Sequence, residues 1–172
     1  MYISIISAVF AAMLGIISSP VAAAIQVEFL EGAPKDQFIL TNVGPCALND
    51  LAITIDLTNS VGKLIFDVTG EGEGVQVFQP FEIVSGGENL VDMPIVLDGE
   101  KMVTLRLSTM ESGGRLVFST DLDDTIDARE ITVSGSEFAG TAISVTSNET
   151  TGDAVFAEDP STVASLQACK GV

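Results

Sequence analysis

The sequence predicts an all-β protein: an antiparallel β-sandwich of immunoglobulin-like or jelly-roll type, with a short C-terminal helix. Three observations predict it. Runs of alternating apolar and polar residues recur along the chain, about nine or ten of them at the spacing of sandwich strands. Clusters of Gly, Pro, Asn and Asp separate these runs, and such residues turn a chain sharply. No long amphipathic helix interrupts residues 25–146.

Ile25 to Leu30 alternates and ends at the Gly32-Ala33-Pro34 turn. Gln37 to Thr41 follows and closes at Asn42-Val43-Gly44-Pro45. Leu51, Ile53, Ile55 and Leu57 place one apolar face on a third strand, because side chains alternate across a strand with period 2. Lys63 to Val68 makes a fourth, and a glycine-acid loop leads into Val75 to Phe78 and then Phe81 to Val84. Pro94 to Leu97 ends at Asp98-Gly99, a turn dipeptide. Further strands are expected at Lys101 to Ser108, Arg115 to Asp121, Glu130 to Val133 and Thr141 to Val145. Residues 147–172 read as a polar loop and a short helix packed on the domain. Asp159 suits the N-cap, Pro160 the first helical position and Gly171 the stop.

Residues 1–24 read as a signal peptide. An uncharged apolar run from Ile3 to Ile17 meets Pro20, and Val21-Ala22-Ala23-Ala24 supplies the small residues a signal peptidase recognises. Cleavage is expected after Ala22, Ala23 or Ala24, leaving Ile25 first. The n-region carries no Lys or Arg, and an uncleaved membrane anchor is the alternative reading. Pro20 and the Ala run weigh against it, so no membrane insertion is expected after cleavage. Export sets the meaning of Cys46 and Cys169. An even pair in an exported chain reads as a disulfide, and a loop of that length adds about 4–5 kcal/mol in the chain-entropy model.

The chain of 172 residues has 7 Lys and Arg, 24 Asp and Glu and no His, a net charge of −17. Every one of those charges lies at or after Glu28, on the exported part. Such a surface does not grip phosphates, so nucleic acid is excluded as a partner. Without His there is no His-based triad or His zinc site. Oxygen chemistry remains, and carboxylates suit hard cations such as Ca2+. Asp121, Asp123, Asp124 and Asp127 crowd one short stretch with no basic residue among them; they are the candidate Ca2+ ligands, with a solvated acidic loop as the alternative reading. Like charges so close repel unless a cation or hydrogen-bond donors compensate them. The spacing is not that of an EF-hand. Asp67, Glu71 and Glu73 form a second acidic loop spaced by Gly70, Gly72 and Gly74; a flexible solvated hairpin is the favoured reading of it, and a second ligand loop the alternative. No acid–base pair stands out and no Cys–His pair exists, so the chain reads as a non-enzyme.

Several stretches together resemble a known family. They are Phe29 to Phe38, Asn42 to Cys46, Leu64 to Gly70 with Val75 to Glu82, Asp121 to Thr125, and Ile131 to Glu137. They are similar to small exported proteins of marine bacteria labelled aggregation factor core proteins, after a domain of sponge adhesion proteoglycans. The similarity covers roughly residues 25–145. It implies a secreted adhesion or aggregation module at the cell surface or in extracellular matrix, aided by Ca2+ at Asp121, Asp123 and Asp124. Its partners would be an extracellular polysaccharide or a surface protein, with self-association of single-domain copies. The alternative is an acidic structural or periplasmic accessory protein with no specific metal site, its charge an adaptation to saline surroundings.

Overall fold

Period-2 alternation becomes two packed antiparallel sheets in a computed structural model that describes residues 22–72, 74, 77–126 and 133–169. The strands are β1 (Ala22–Leu30), β2 (Asp36–Asn42), β3 (Leu48–Asp56), β4 (Ile65–Phe66), β5 (Glu82–Ser85), β6 (Met102–Met110), β7 (Arg115–Thr120), β8 (Leu122–Asp123), β9 (Ala142–Ser147), β10 (Thr150–Val155) and β11 (Ser161–Ala168). One sheet has the order β11-β1-β2-β7-β5 and the other β10-β9-β3-β6, while β4 and β8 form a separate pair. Every pairing is antiparallel. The sandwich expected from the strand spacing is the fold observed.

The inner faces are the alternating apolar positions. Ile25, Val27 and Phe29 of β1, Phe38 and Leu40 of β2, and Leu116 and Phe118 of β7 line one side. Leu51, Ile53 and Ile55 of β3, Val103, Leu105 and Leu107 of β6, and Ile143 and Val145 of β9 line the other. Each large apolar side chain so buried contributes about 1.5–3 kcal/mol. Phenylalanines concentrate near one end. Phe29 stacks on Phe138 at 4.2 Å between ring centres, Phe38 on Phe118 at 4.7 Å, and Phe138 meets Phe156 edge-on. Phe138 is delivered by a one-turn helix, α1 (Gly135–Phe138). Ser134 and Glu137 close a reciprocal capping box at its start.

The C-terminal helix is not formed. Ser161–Ala168 is strand β11, paired with β1 through Ile25 with Ala164 and Glu28 with Ser161. Asp159-Pro160 is a bend before a strand, and the Pro160 carbonyl accepts a hydrogen bond from Phe29 N–H at 2.8 Å. The capping signals were genuine turn signals. The free edge of β1 then decided between helix and strand, and alternation buries Ala164 and Leu166. The loop expected after Ser147 also contains a strand, β10, which pairs with β9. Residues 150–168 therefore add one edge strand to each sheet. Pro94 to Leu97 forms no strand, and Ile95 is 83% exposed. Of Lys63 to Val68 only Ile65 and Phe66 pair as a strand.

Strand β1 begins at Ala22, with Ala23 and Ala24 buried, so a chain starting at Ile25 would lack its first three residues. The rest of the expected signal peptide, residues 1–21, lies outside the described residues, as do most of Glu130 to Val133 and part of Val75 to Phe78. No helix among the described residues is long and apolar enough to cross a membrane.

The expected disulfide is present. Cys46 and Cys169, 123 positions apart, tie the loop after β2 to the residue after β11. Strand β2 runs away from Asp36 and β3 runs back to Asp56. The disulfide and the β9–β10 turn therefore sit at one end of the sandwich, and Asp36 and Asp121 at the other.

Candidate metal centre

The acidic end is built by the short β4–β8 pair. Ile65 lies opposite Asp123 and Phe66 opposite Leu122. Phe66 and Leu122 point into the core, so alternation puts Asp121, Asp123 and Asp67 on the other face. The Asp67 N–H donates to the Asp121 carbonyl at 3.1 Å, which continues the pairing and holds the three residues together. One carboxylate oxygen from each of Asp67, Asp121 and Asp123 lies within 4.8 Å of the others. All three residues are buried, Asp67 to 1% exposure.

A fourth carboxylate stands beside them. Asp36, the first residue of β2, is 2% exposed and pairs with Thr120 of β7. Burial pushes it up to about 8, with the nearby Asp121 charge adding to the effect. Hydrogen bonds from the Gly32 and Leu122 N–H groups oppose the rise. Asp121 itself is pushed up to about 7 by burial, then by the charges of Asp123 and Asp67. Lys35 offsets this only in part. Its ammonium is committed to the Glu82 carboxylate and the Pro80 carbonyl, each at 2.7 Å.

The glycine-acid loop packs directly on this group. Gly74 has φ +107°, and a Cβ there would lie 2.6 Å from Asp67 Oδ2 and 2.9 Å from Asp123 Oδ2. Only glycine fits that backbone and that distance. Gly72 lies as closely on Asp98. The Asp98 carboxylate accepts the Val68 and Thr69 N–H groups at 2.8 Å each, and the Thr69 hydroxyl as well. Burial raises the Asp98 pKa, but these hydrogen bonds outweigh it and hold the carboxyl below its usual value. Asp98 thus anchors the loop as an ion.

The structure therefore regroups the residues picked from the sequence. Asp121 and Asp123 come together, and Asp67 joins them from the loop read as separate. Asp124 is half-buried and turns its Oδ1 to the Ile126 N–H at 3.1 Å, outside the carboxylate group. Glu71 is exposed and also outside it, and Asp127 and Glu73 lie outside the described residues. Sequence reading missed Asp36. Its signal was present: it shares the inward register of Phe38, Leu40 and Asn42, where an acid is out of place.

The donor set fits a hard cation. Oxygens bound to one Ca2+ at about 2.3–2.6 Å lie within about 5 Å of each other, a span these carboxylates already meet. Asp67, Asp121 and Asp123 would hold it, and the ion would supply positive charge among their buried carboxylates. No family model matches the chain, and no curated protein or solved structure matches it either.

Proposed function

We propose that this chain is an exported, non-enzymatic adhesion or aggregation module that takes Ca2+ at its acidic end. It would act at the cell surface or in extracellular matrix, against a polysaccharide or a surface protein. The observation that carries the cation reading is the convergence of three buried carboxylates, two from one strand end and one from another. A buried group of like charges is costly unless compensated, and an acidic surface adapted only to salt has no need to bury it. The disulfide is compatible with an oxidising, extracytoplasmic location. The adhesion reading is supported by the sequence resemblance.

Calorimetric titration of Ca2+ into the full-length protein tests the cation. Binding at millimolar or lower Ca2+ is expected, and at a hundredfold excess over Kd it raises stability by about 2.7 kcal/mol. Asp123→Asn abolishes the heat. Equal melting curves in Ca2+ and in chelator would sink the reading and favour the accessory protein without a metal site.

A further inference from the structure

Strand β6 ends its sheet, so part of its main chain faces an open edge. The Leu57 N–H donates to the Lys101 carbonyl at 2.7 Å, which fixes the alternation along the β3–β6 ladder. Met102, Thr104 and Arg106 therefore turn their N–H and C=O groups outward. The preceding chain meets that edge at its far end. Leu90 bridges to Leu107, and the Val91 N–H donates to the Arg106 carbonyl at 2.9 Å. Asp98-Gly99 then makes a turn back into β6, in which the Glu100 N–H donates to the Leu97 carbonyl at 3.2 Å. Counting inward along both chains from Leu90 and Leu107 arrives at Leu97 and Glu100, so both ends keep one register. Between them, no backbone hydrogen bond among the described residues joins residues 92–96 to β6.

We propose that residues 92–96 are a strap that closes onto β6 as a further strand of its sheet, that Asp92 holds it open, and that Asp98 carries its closure to the loop over the acidic centre. The shared register sets the closed pairing in advance. Met93 comes opposite Thr104 and Ile95 opposite Met102, each pair exchanging its main-chain hydrogen bonds. Pro94 comes opposite Val103, where the main chain of the strap points away from β6, so its missing N–H removes no bond. The side chains are already sorted for closure. Leu90 and Val96 pack against the core, while Val91, Met93 and Ile95 are exposed, as that register requires. Asp92 is the exception. The register turns it inward beside Leu105, which is fully buried, and a carboxylate there loses its water. In the open strap Asp92 is exposed instead. Opening keeps that charge in water and gives up the main-chain bonds.

The turn at the tip joins the strap to the acidic end. Asp98 accepts the Val68 and Thr69 N–H groups, and Gly72 packs on it. The Gly99 N–H donates to the Phe66 carbonyl at 3.0 Å, and the Phe66 N–H donates to the Glu100 carbonyl at 2.8 Å. Closing the strap removes freedom from that turn, so the loop bonded to Asp98 opens less often on its own. The strap thus sets how firmly that loop lies over Asp67 and Asp123. This holds with or without an ion at those residues, so the inference does not depend on the cation reading.

Hydrogen exchange at single amides of the full-length protein, read by NMR in chelator, tests it. Before any substitution the Met93 and Ile95 amides are expected to exchange close to the unprotected rate. Asp92→Val, at an exposed position, removes the charge that keeps the strap open. It slows both amides by about tenfold or more after correction for intrinsic rates, and the Val68 and Thr69 amides by about threefold. Adding Ile95→Pro deletes the donor to Met102 and returns Met93, Val68 and Thr69 to their original rates. Ile95 is exposed and its N–H makes no bond among the described residues, so the open fold keeps its contacts in that variant. Met93 and Ile95 amides already protected before substitution, or still fast in Asp92→Val, overturn the strap. Protection of the strap with Val68 and Thr69 unchanged overturns its link to the loop.

Discussion

The two ends of the sandwich are stabilised in opposite ways. At one end Cys46 and Cys169 staple the loop after β2 to the chain beyond β11, and Asn42 satisfies two carbonyls, of Cys46 and Met110, with its side-chain amide. At the other end a stacked phenylalanine cluster lies beneath four buried carboxylates. The first end constrains the unfolded chain and asks nothing of the solvent. The second spends folding energy on holding like charges together. Strain kept at one place and offset elsewhere is the usual mark of a site that acts.

The largest expected difference comes from cutting the staple. The double variant Cys46→Ser, Cys169→Ser loses about 4–5 kcal/mol and melts on the order of 10–15 °C lower. Its Ca2+ response is unchanged, because the ends are separate; a lost response in calorimetry would break the comparison. Next is Gly74→Ala, which pushes a methyl group against Asp67 and Asp123 at positive φ. It costs about 1–3 kcal/mol in denaturant melts and abolishes the Ca2+ response while sparing the other end.

The third effect depends on pH. Asp36 and Asp121 have folded pKa values raised to about 8 and about 7, above the usual carboxylate value. Protonated, they suit their burial, so their stabilising contribution is full below about pH 4 and is lost as pH rises through 7 and 8. In chelator the melting temperature is expected to fall between pH 5 and pH 8.5, and Asp36→Asn to flatten that fall. A melting temperature rising over this range would show that the acidic end is not under charge strain. The smallest effect is at Thr141, whose buried hydroxyl, beside the phenylalanine cluster, has no hydrogen-bond partner among the described residues. Thr141→Val keeps the shape and removes that unsatisfied group, and a gain of about 1 kcal/mol is expected in denaturant melts.

Most strands were legible because alternation is local: Leu51 to Leu57 or Ile25 to Leu30 announces its own buried face. The last element was not. Ser161 to Ala168 carries a fair helix N-terminus, and only the unpaired edge of β1, more than a hundred residues upstream in the chain, makes it a strand. Pro94 to Leu97 failed in the other direction: it has strand propensity, yet it pairs with neither sheet although β6 ends one of them. Within the site, Asp121 and Asp123 were legible from crowding, whereas Asp67 read as part of another loop and Asp36 was not singled out.

By itself the sequence determined the fold class, the acidity and the disulfide, since period, composition and cysteine count are properties of the chain alone. Only the tertiary structure decided which acids share a site. Carboxylates interact through space over a few ångströms, and the β4–β8 pairing brings Asp67 to Asp121 across a separation that no local pattern encodes.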